Sequence, residues 1–198
     1  MVVGITGGIG SGKSFVSKCF LEFENTVYYH ADEEAKSLMN SSQEIRSKLI
    51  KEFGEASYQN NQLNRGYTAS IVFERSEQLK KLNQIVHPIV RKHFEEFIQQ
   101  QSKKTIILYE NAILFETASD AVCDVVIAVN TPKEIRIQRV MARDQMQREE
   151  VEKRMQHQWT DTQRALLSNY YILNINKEET LLKVQDIHKF LTKKLELF

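Results

Sequence analysis

Residues Gly7 to Ser14 read Gly-Gly-Ile-Gly-Ser-Gly-Lys-Ser and satisfy every fixed position of the pattern G-x-x-x-x-G-K-[ST]. This pattern restricts the fold, because a phosphate-cradling loop of this kind works only between a strand and the helix that follows it. Both flanks comply. Val2, Val3 and Ile5 form a short apolar run suited to a buried strand, and Val16, Cys19, Phe20 and Phe23 recur at helical spacing directly after Lys13. The residue types follow from the chemistry: glycines let backbone N–H groups turn inward around phosphate oxygens, and a helix start adds partial positive charge. Lys13 would reach the β- and γ-phosphates, and Ser14 would offer its hydroxyl to Mg²⁺. The competing reading is a glycine turn that caps an ordinary helix.

Composition sets the outer limits. A chain of 198 residues with 41% hydrophobic content can bury one good core, so the expectation is a single domain over 1–198 carrying insertions. Lys and Arg number 27 against 26 Asp and Glu, a net charge of +1, which argues against a general polyanion binder such as a nonspecific nucleic-acid protein. Cys19 and Cys123 each sit in an apolar pattern, outside any C-x-x-C pair, and read as reduced core residues. No basic-then-apolar leader and no run of 18 apolar residues is present, so the expected location is cytoplasmic and no membrane partner is expected. Four of the seven glycines lie in the loop, and the two prolines leave no Pro/Gly-rich linker.

Thr26 to Tyr29 reads as a second strand that stops at His30-Ala31-Asp32. Ligands of open α/β sheets sit beyond the carboxyl ends of strands, so Asp32 is a candidate catalytic carboxylate. It fits a helix N-cap equally well. From Glu33 to about Gln101 the pattern is mostly helical, with turn signals at Asn40-Ser41-Ser42, Phe53-Gly54, Asn60-Asn61 and His87-Pro88, the last read as a helix start with Pro88 in its first turn. Such an insertion is a place to hold an acceptor substrate. Arg65 opens a helical run through Ile71, Val72 and Phe73, and without further grounds it reads as a solvated surface charge.

Thr105 to Glu110 is a third strand ending in an acid that could bind Mg²⁺ through water. Asp124 to Asn130 is a fourth, with the β-branched apolar core expected of a parallel strand buried on both faces. Thr131-Pro132-Lys133-Glu134 then looks like a capping box with proline at the first helical position. Arg136, Arg139 and Arg143 recur at spacings of three and four on that helix and so share a face. A polar helix from Gln147 to about Gln158 follows, carrying Arg148 and Arg154. A basic helix pair with a hinge suits a mobile lid over a nucleotide, while Glu149, Glu150 and Glu152 keep open the reading of an exposed salt-bridged helix. Tyr170 to Asn174 is a fifth strand. Leu181, Leu182, Val184, Ile187, Phe190, Leu191 and Leu195, within Glu178 to Phe198, predict a core-packing helix.

With these residues in place the chain resembles the dephospho-coenzyme A kinase family, nearly end to end. The marks are Thr6 to Ser14, Ala31-Asp32, Leu63-Asn64-Arg65 with Val72-Phe73, His87-Pro88, Leu114-Phe115-Glu116, Arg139 with Arg143-Asp144, Gln158, and Ile172-Leu173-Asn174. Their order and spacing carry the match. The resemblance implies an α/β P-loop NTPase fold: a five-stranded parallel sheet flanked by helices (1–32, 104–138 and 168–198), a helical CoA-substrate part (33–103) and a helical lid (139–167). It implies transfer of the ATP γ-phosphate to the ribose 3′-hydroxyl of dephospho-CoA with Mg²⁺, and a monomer is the favoured state.

The resemblance further implies roles for named residues. Asp32, Lys13 and Arg139 are the expected catalytic groups. Gly8, Gly10, Ser11, Gly12, Lys13, Ser14, Phe15 and Arg143 would hold ATP, Asp32, Arg65 and His87 the acceptor, and Ser14 with Glu110, through water, the metal. The chain departs from the family pattern at His30 and Glu110 (usually Asp), Phe15 (usually Thr), Ala112 (usually Pro) and Asn169 (usually Asp). The nearest rival is a nucleoside or nucleoside-monophosphate kinase. A nucleotide-operated switch is a third, against which stands the absence of an Asn-Lys-x-Asp tetrapeptide.

Overall fold

The computed structural model describes every residue except Arg75, His157, Leu197 and Phe198, with the side chains of Phe73, Glu74 and Ser76 also outside the description. The chain divides into two compact units, Met1–His30 with Ser102–Phe198, and Ala31–Gln101.

The first unit is built on a parallel sheet of five strands, as the sequence predicts. These are β1 (Val2–Thr6), β2 (Thr26–His30), β5 (Ile106–Glu110), β6 (Val125–Asn130) and β7 (Tyr170–Leu173), in the order β2-β5-β1-β6-β7. All four pairings are parallel. β1 and β5 are buried at every residue, whereas the edge strands β2 and β7 are only partly buried, as expected of central parallel strands covered on both faces. The order switches direction around β1, with β5 on one side and β6 on the other. That crevice, beyond the carboxyl ends, is where a doubly wound sheet accepts ligands. Helix α1 (Lys13–Phe20) starts there and buries Val16, Cys19 and Phe20 with Val184, Ile187 and Leu191 of α9 (Lys177–Leu195). Only part of the predicted apolar set of α9 is core: Leu181, Leu182 and Phe190 are exposed, because one buried helix face is too narrow for seven apolar positions. Phe198, the expected end of this helix, lies outside the described residues.

Helix α6 (Lys133–Asp144) follows β6 without the expected capping box. Pro132 occupies the cap position with no side-chain cap bond, and the Thr131 hydroxyl is turned to other acceptors. A capping box does occur at Thr160–Gln163, opening α8 (Asp161–Leu167). Between them α7 (Arg148–Gln156) packs Val151 against Ile137 and Val140 of α6. The expected helix to Gln158 is thus shorter, and His157 lies outside the described residues.

The second unit consists of α2 (Ala31–Ser41), α3 (Gln43–Phe53), the hairpin β3 (Tyr58–Gln59) and β4 (Gln62–Leu63), α4 (Arg65–Glu74) and α5 (Ser76–Gln99). Ile45, Leu49, Phe53, Tyr58, Val86 and Val90 are its core. The hairpin was not anticipated: Asn60 and Asn61 both take positive φ (51° and 63°), the two-residue turn that asparagine tolerates. Pro88 does not start a helix but lies inside α5. Leu82, Ile85, Val86, Ile89 and Val90 face this unit's core on both sides of the proline, and that burial outweighs the lost backbone hydrogen bond, which costs about 3 kcal/mol.

Candidate active site

The loop between β1 and α1 turns tightly through its glycines, and at Gly7 and Gly10 a Cβ would collide with the backbone carbonyls of Val129 and Arg136. Gly12 has φ +86°, and a Cβ there would collide with the Asn174 amide. A Cβ at Gly8 would collide with the Arg136 guanidinium. The Ser11 carbonyl accepts the Thr131 hydroxyl (3.0 Å) and the Asn174 side-chain amide (2.8 Å), which ties the loop to the ends of β6 and β7. The Asn174 carbonyl lies 2.9 Å from the same Thr131 hydroxyl and shares its single proton with the Ser11 carbonyl. The loop is therefore held by buried hydrogen bonds as well as by its own sequence.

A cavity of about 190 Å³ opens beside it, lined by Gly10, Gly12, Lys13, Ser14, Arg139, Val140 and Arg143. Three cations and a helix start surround it, and among the described residues no acid is in its lining. Lys13 donates from Nζ to the Gly7 carbonyl at 3.0 Å. Arg139 is braced at 3.2 Å by both the Thr131 hydroxyl and the Asn174 carbonyl. Arg143 is more exposed and pairs with Asp144 at 2.7 Å. The arrangement suits a polyanion.

Glu110 ends β5 beside this loop. Its Oε1 accepts the Ser14 hydroxyl (2.9 Å), and its Oε2 accepts Ser17 and Tyr28 hydroxyls (2.7 Å each). His30 Nε2 stands 3.4 Å from Oε1. Burial pushes the carboxyl upward, but hydrogen bonds from His30, Ser17 and Tyr28 and the Lys13 charge outweigh it, leaving the acid at about 2 and ionised at neutral pH. An ionised carboxylate touching the loop serine suits a hard cation that takes its other ligands from phosphate and water. Among the described residues no group of three or more His, Cys, Asp and Glu could hold a metal.

In the second unit, Asp32 is exposed in the first turn of α2, inside the helix and not at its cap. There its charge favours the helix dipole. His87 is half-buried on α5; burial lowers its pKa, and the Asp32 charge partly raises it again, so these two side chains share an electrostatic neighbourhood. Arg65 is exposed at the first residue of α4, which Asn64 caps through Tyr67 N–H.

A family model described as dephospho-CoA kinase matches residues 1–179. The chain belongs to the dephospho-CoA kinase family. It is 32% identical to a dephospho-CoA kinase of Bacteroides fragilis over 193 residues, covering 98% of this chain and 94% of that one. With the enzyme of that name from Salinibacter ruber the identity is 40% over 159 residues, 79% of each chain. Among solved structures, a Thermus thermophilus protein superposes with TM-score 0.81 at 28% identity, covering 96% of both chains. The Campylobacter jejuni dephospho-CoA kinase (TM-score 0.65, 20% identity, 97% of both chains) and an Acinetobacter baumannii shikimate kinase (0.54, 14%, 98% and 94%) share the fold.

For the enzyme, Gly10, Gly12, Lys13, Ser14, Arg139 and Arg143 converge on one cavity. Other predicted residues serve it indirectly. Ser11 is buried and acts through its carbonyl; Phe15 packs its ring against the core, and its N–H donates to the Gly12 carbonyl. Arg136 does not share the exposed face of Arg139 and Arg143: it is 8% exposed and bound to Asp161 at 2.9 Å. Arg148 pairs with Glu134 and Glu152, and Arg154 stands 4.0 Å from Asp144. Asn169 ties β7 to β6 through the Val126 N–H at 2.8 Å, a sheet role. Sequence reasoning missed Ser17 and Tyr28 on Glu110, and Thr131 and Asn174 under the loop. Tyr28 could have been found by strand alternation with His30, and Ser17 by helical spacing from Ser14.

Proposed function

We propose that this chain transfers the γ-phosphate of ATP to the ribose 3′-hydroxyl of dephospho-CoA, giving coenzyme A and ADP. The observation that carries the reading is the cavity at the loop, walled by Lys13, Arg139, Arg143 and the start of α1, with no acid among the described residues of its lining. Phosphoryl transfer needs positioning and charge neutralisation more than covalent chemistry. Gly8, Gly10, Ser11, Gly12 and Phe15 shape the loop, and Lys13 with its amides would hold the β- and γ-phosphates. Ser14, and Glu110 through water, would hold Mg²⁺, which would supply charge neutralisation at the phosphates. Arg139 would meet the migrating phosphoryl and Arg143 the nucleotide. Asp32 is the base we assign to the acceptor hydroxyl, with Arg65 and His87 as acceptor-binding groups.

Residues 1–32, 104–138 and 168–198 then serve as nucleotide core, 33–103 as the CoA-substrate part and 139–167 as a lid. No helix among the described residues is long and apolar enough to cross a membrane. A cytoplasmic monomer without nucleic-acid partners is the state we expect. The test is to offer purified protein ATP and Mg²⁺ with dephospho-CoA, AMP, CMP or uridine. Phosphorylation of dephospho-CoA alone supports the assignment; preference for AMP, CMP or uridine replaces it with a nucleoside or nucleotide kinase.

A further inference from the structure

The phosphate loop is also held from outside its cavity. Ile9 N–H donates to Gln158 Oε1 at 2.8 Å, and Gly8 lies directly against the Arg136 guanidinium. Arg136 Nη2 reaches Asp161 Oδ2 at 2.9 Å, and Asp161 Oδ1 stands 3.5 Å from Arg164 Nη1. Arg164, 1% exposed, reaches Glu116 Oε1 at 3.2 Å, and the same oxygen accepts the Trp159 N–H at 2.9 Å. The Trp159 ring stacks on Phe115 at 5.8 Å and 12°. The segment 158–164 is thus fixed by an alternating chain of charges, an aromatic stack and the Thr160–Gln163 capping box. None of these groups lines the cavity.

Burying such a chain is costly, and it leaves Arg136 Nε, Arg164 Nε and Glu116 Oε2 without hydrogen-bond partners among the described residues. What it fixes is the placement of one acceptor, the Gln158 amide oxygen, opposite one loop N–H. We propose that Gln158 is a positioning residue for ATP, acting through Ile9 to hold the Gly8–Ile9 peptide so that the following stretch of loop keeps its phosphate-accepting shape. This rests on the reading that ATP phosphates occupy the loop. Without the Gln158 acceptor the loop samples other orientations, and apparent ATP affinity falls by the fraction of molecules that remain competent. Molecules that do bind react as before.

The experiment titrates ATP against the full chain by calorimetry and measures steady-state kinetics, for wild type and for Gln158→Met, which keeps side-chain length and removes the acceptor. Gln158 is half-buried, so the variant should fold. We expect ATP Kd and KM to rise roughly fivefold, the size of one hydrogen bond, with kcat and the acceptor KM within about twofold and melting temperature nearly unchanged. Asp161→Asn, which uncharges the middle of the chain, should raise ATP Kd in the same direction. A folded Gln158→Met with wild-type ATP Kd overturns the inference, as does a parallel loss in kcat and both KM values. A wild-type chain that binds no ATP overturns the functional reading as well, so the two failures are separable.

Discussion

The phosphate loop and the helical unit 31–101 of this enzyme are built on opposite principles. At the loop, nearly every group is already held: Ser14 by Glu110, Arg139 by Thr131 and Asn174, Ser11 by the same pair, Ile9 by Gln158. In the helical unit 31–101, Asp32 and Arg65 stand exposed, and only His87 is partly enclosed. A site for the β- and γ-phosphates of ATP can be rigid, because its ligand is compact and highly charged, so preorganisation cuts the cost of binding. Groups that would meet a large flexible acceptor, the role proposed for Asp32, Arg65 and His87, need no such rigid frame. The comparison teaches that substitutions of the buried groups that brace the loop should disturb fold and function together, whereas those at Lys13 and at the exposed Asp32 should separate them.

The largest effect should come from Asp32→Asn. Because Asp32 lies inside the first turn of α2, losing its charge should cost about 0.3 to 1 kcal/mol of helix stabilisation, yet kcat should fall by roughly 10² to 10⁴ if the carboxylate is the base. Thermal unfolding and kcat per folded molecule are the two readouts. A large drop in melting temperature with unchanged kcat would break the contrast and make Asp32 structural.

Lys13→Met comes next. It removes a charge from the cavity and one hydrogen bond to Gly7, so turnover should fall on the order of 10² or more while the protein stays folded. Near-normal turnover in a folded variant removes the loop from the mechanism.

Two arginines on one helix sharpen the comparison within the first unit. Arg139→Ala should lower kcat by roughly 10² and weaken ATP binding much less, because its charge matters most while the phosphoryl is in flight. Arg136→Ala should instead act on stability, by about 1.5 to 3 kcal/mol, through the charged hydrogen bond it makes to Asp161, which keeps Arg164 as its other partner. Denaturant melts and steady-state kinetics on both variants decide, and equal profiles would erase the distinction. For the lid itself, slower proteolysis of 147–158 with a bisubstrate analogue is the expected result; equal rates would leave it an exposed salt-bridged helix.

The smallest effect is a pH dependence. Glu110 has a folded-state pKa of about 2 against an ordinary 4.5, so it contributes stability that is fully present above 4.5 and lost as pH falls toward 2. The contribution is at most about 3 kcal/mol. Urea unfolding of metal-free protein between pH 5.5 and 2.5 should show a steeper acid loss for wild type than for Glu110→Gln; identical slopes would mean that the hydrogen bonds around Glu110 do not hold its charge in the fold.

By itself the sequence determined the loop, the strands and the family, because each is written in local terms. A glycine-lysine-serine spacing sets the loop chemistry, β-branched runs at Ile106 to Glu110 and Val125 to Asn130 set buried parallel strands, and both read without knowledge of neighbours. Tertiary structure decided which arginine is a tool and which is a strut. Arg136 and Arg139 differ by less than a turn on α6, and only the approach of Asp161, 25 residues on, buries one while the other stays at the cavity. It also decided that Thr131 would brace the loop instead of capping α6, and that Pro88 would be carried inside α5. In each case the outcome is a competition between a local preference worth roughly 1 to 3 kcal/mol and burial or hydrogen bonding of similar size supplied by residues far along the chain, and local sequence carries only the first of those terms.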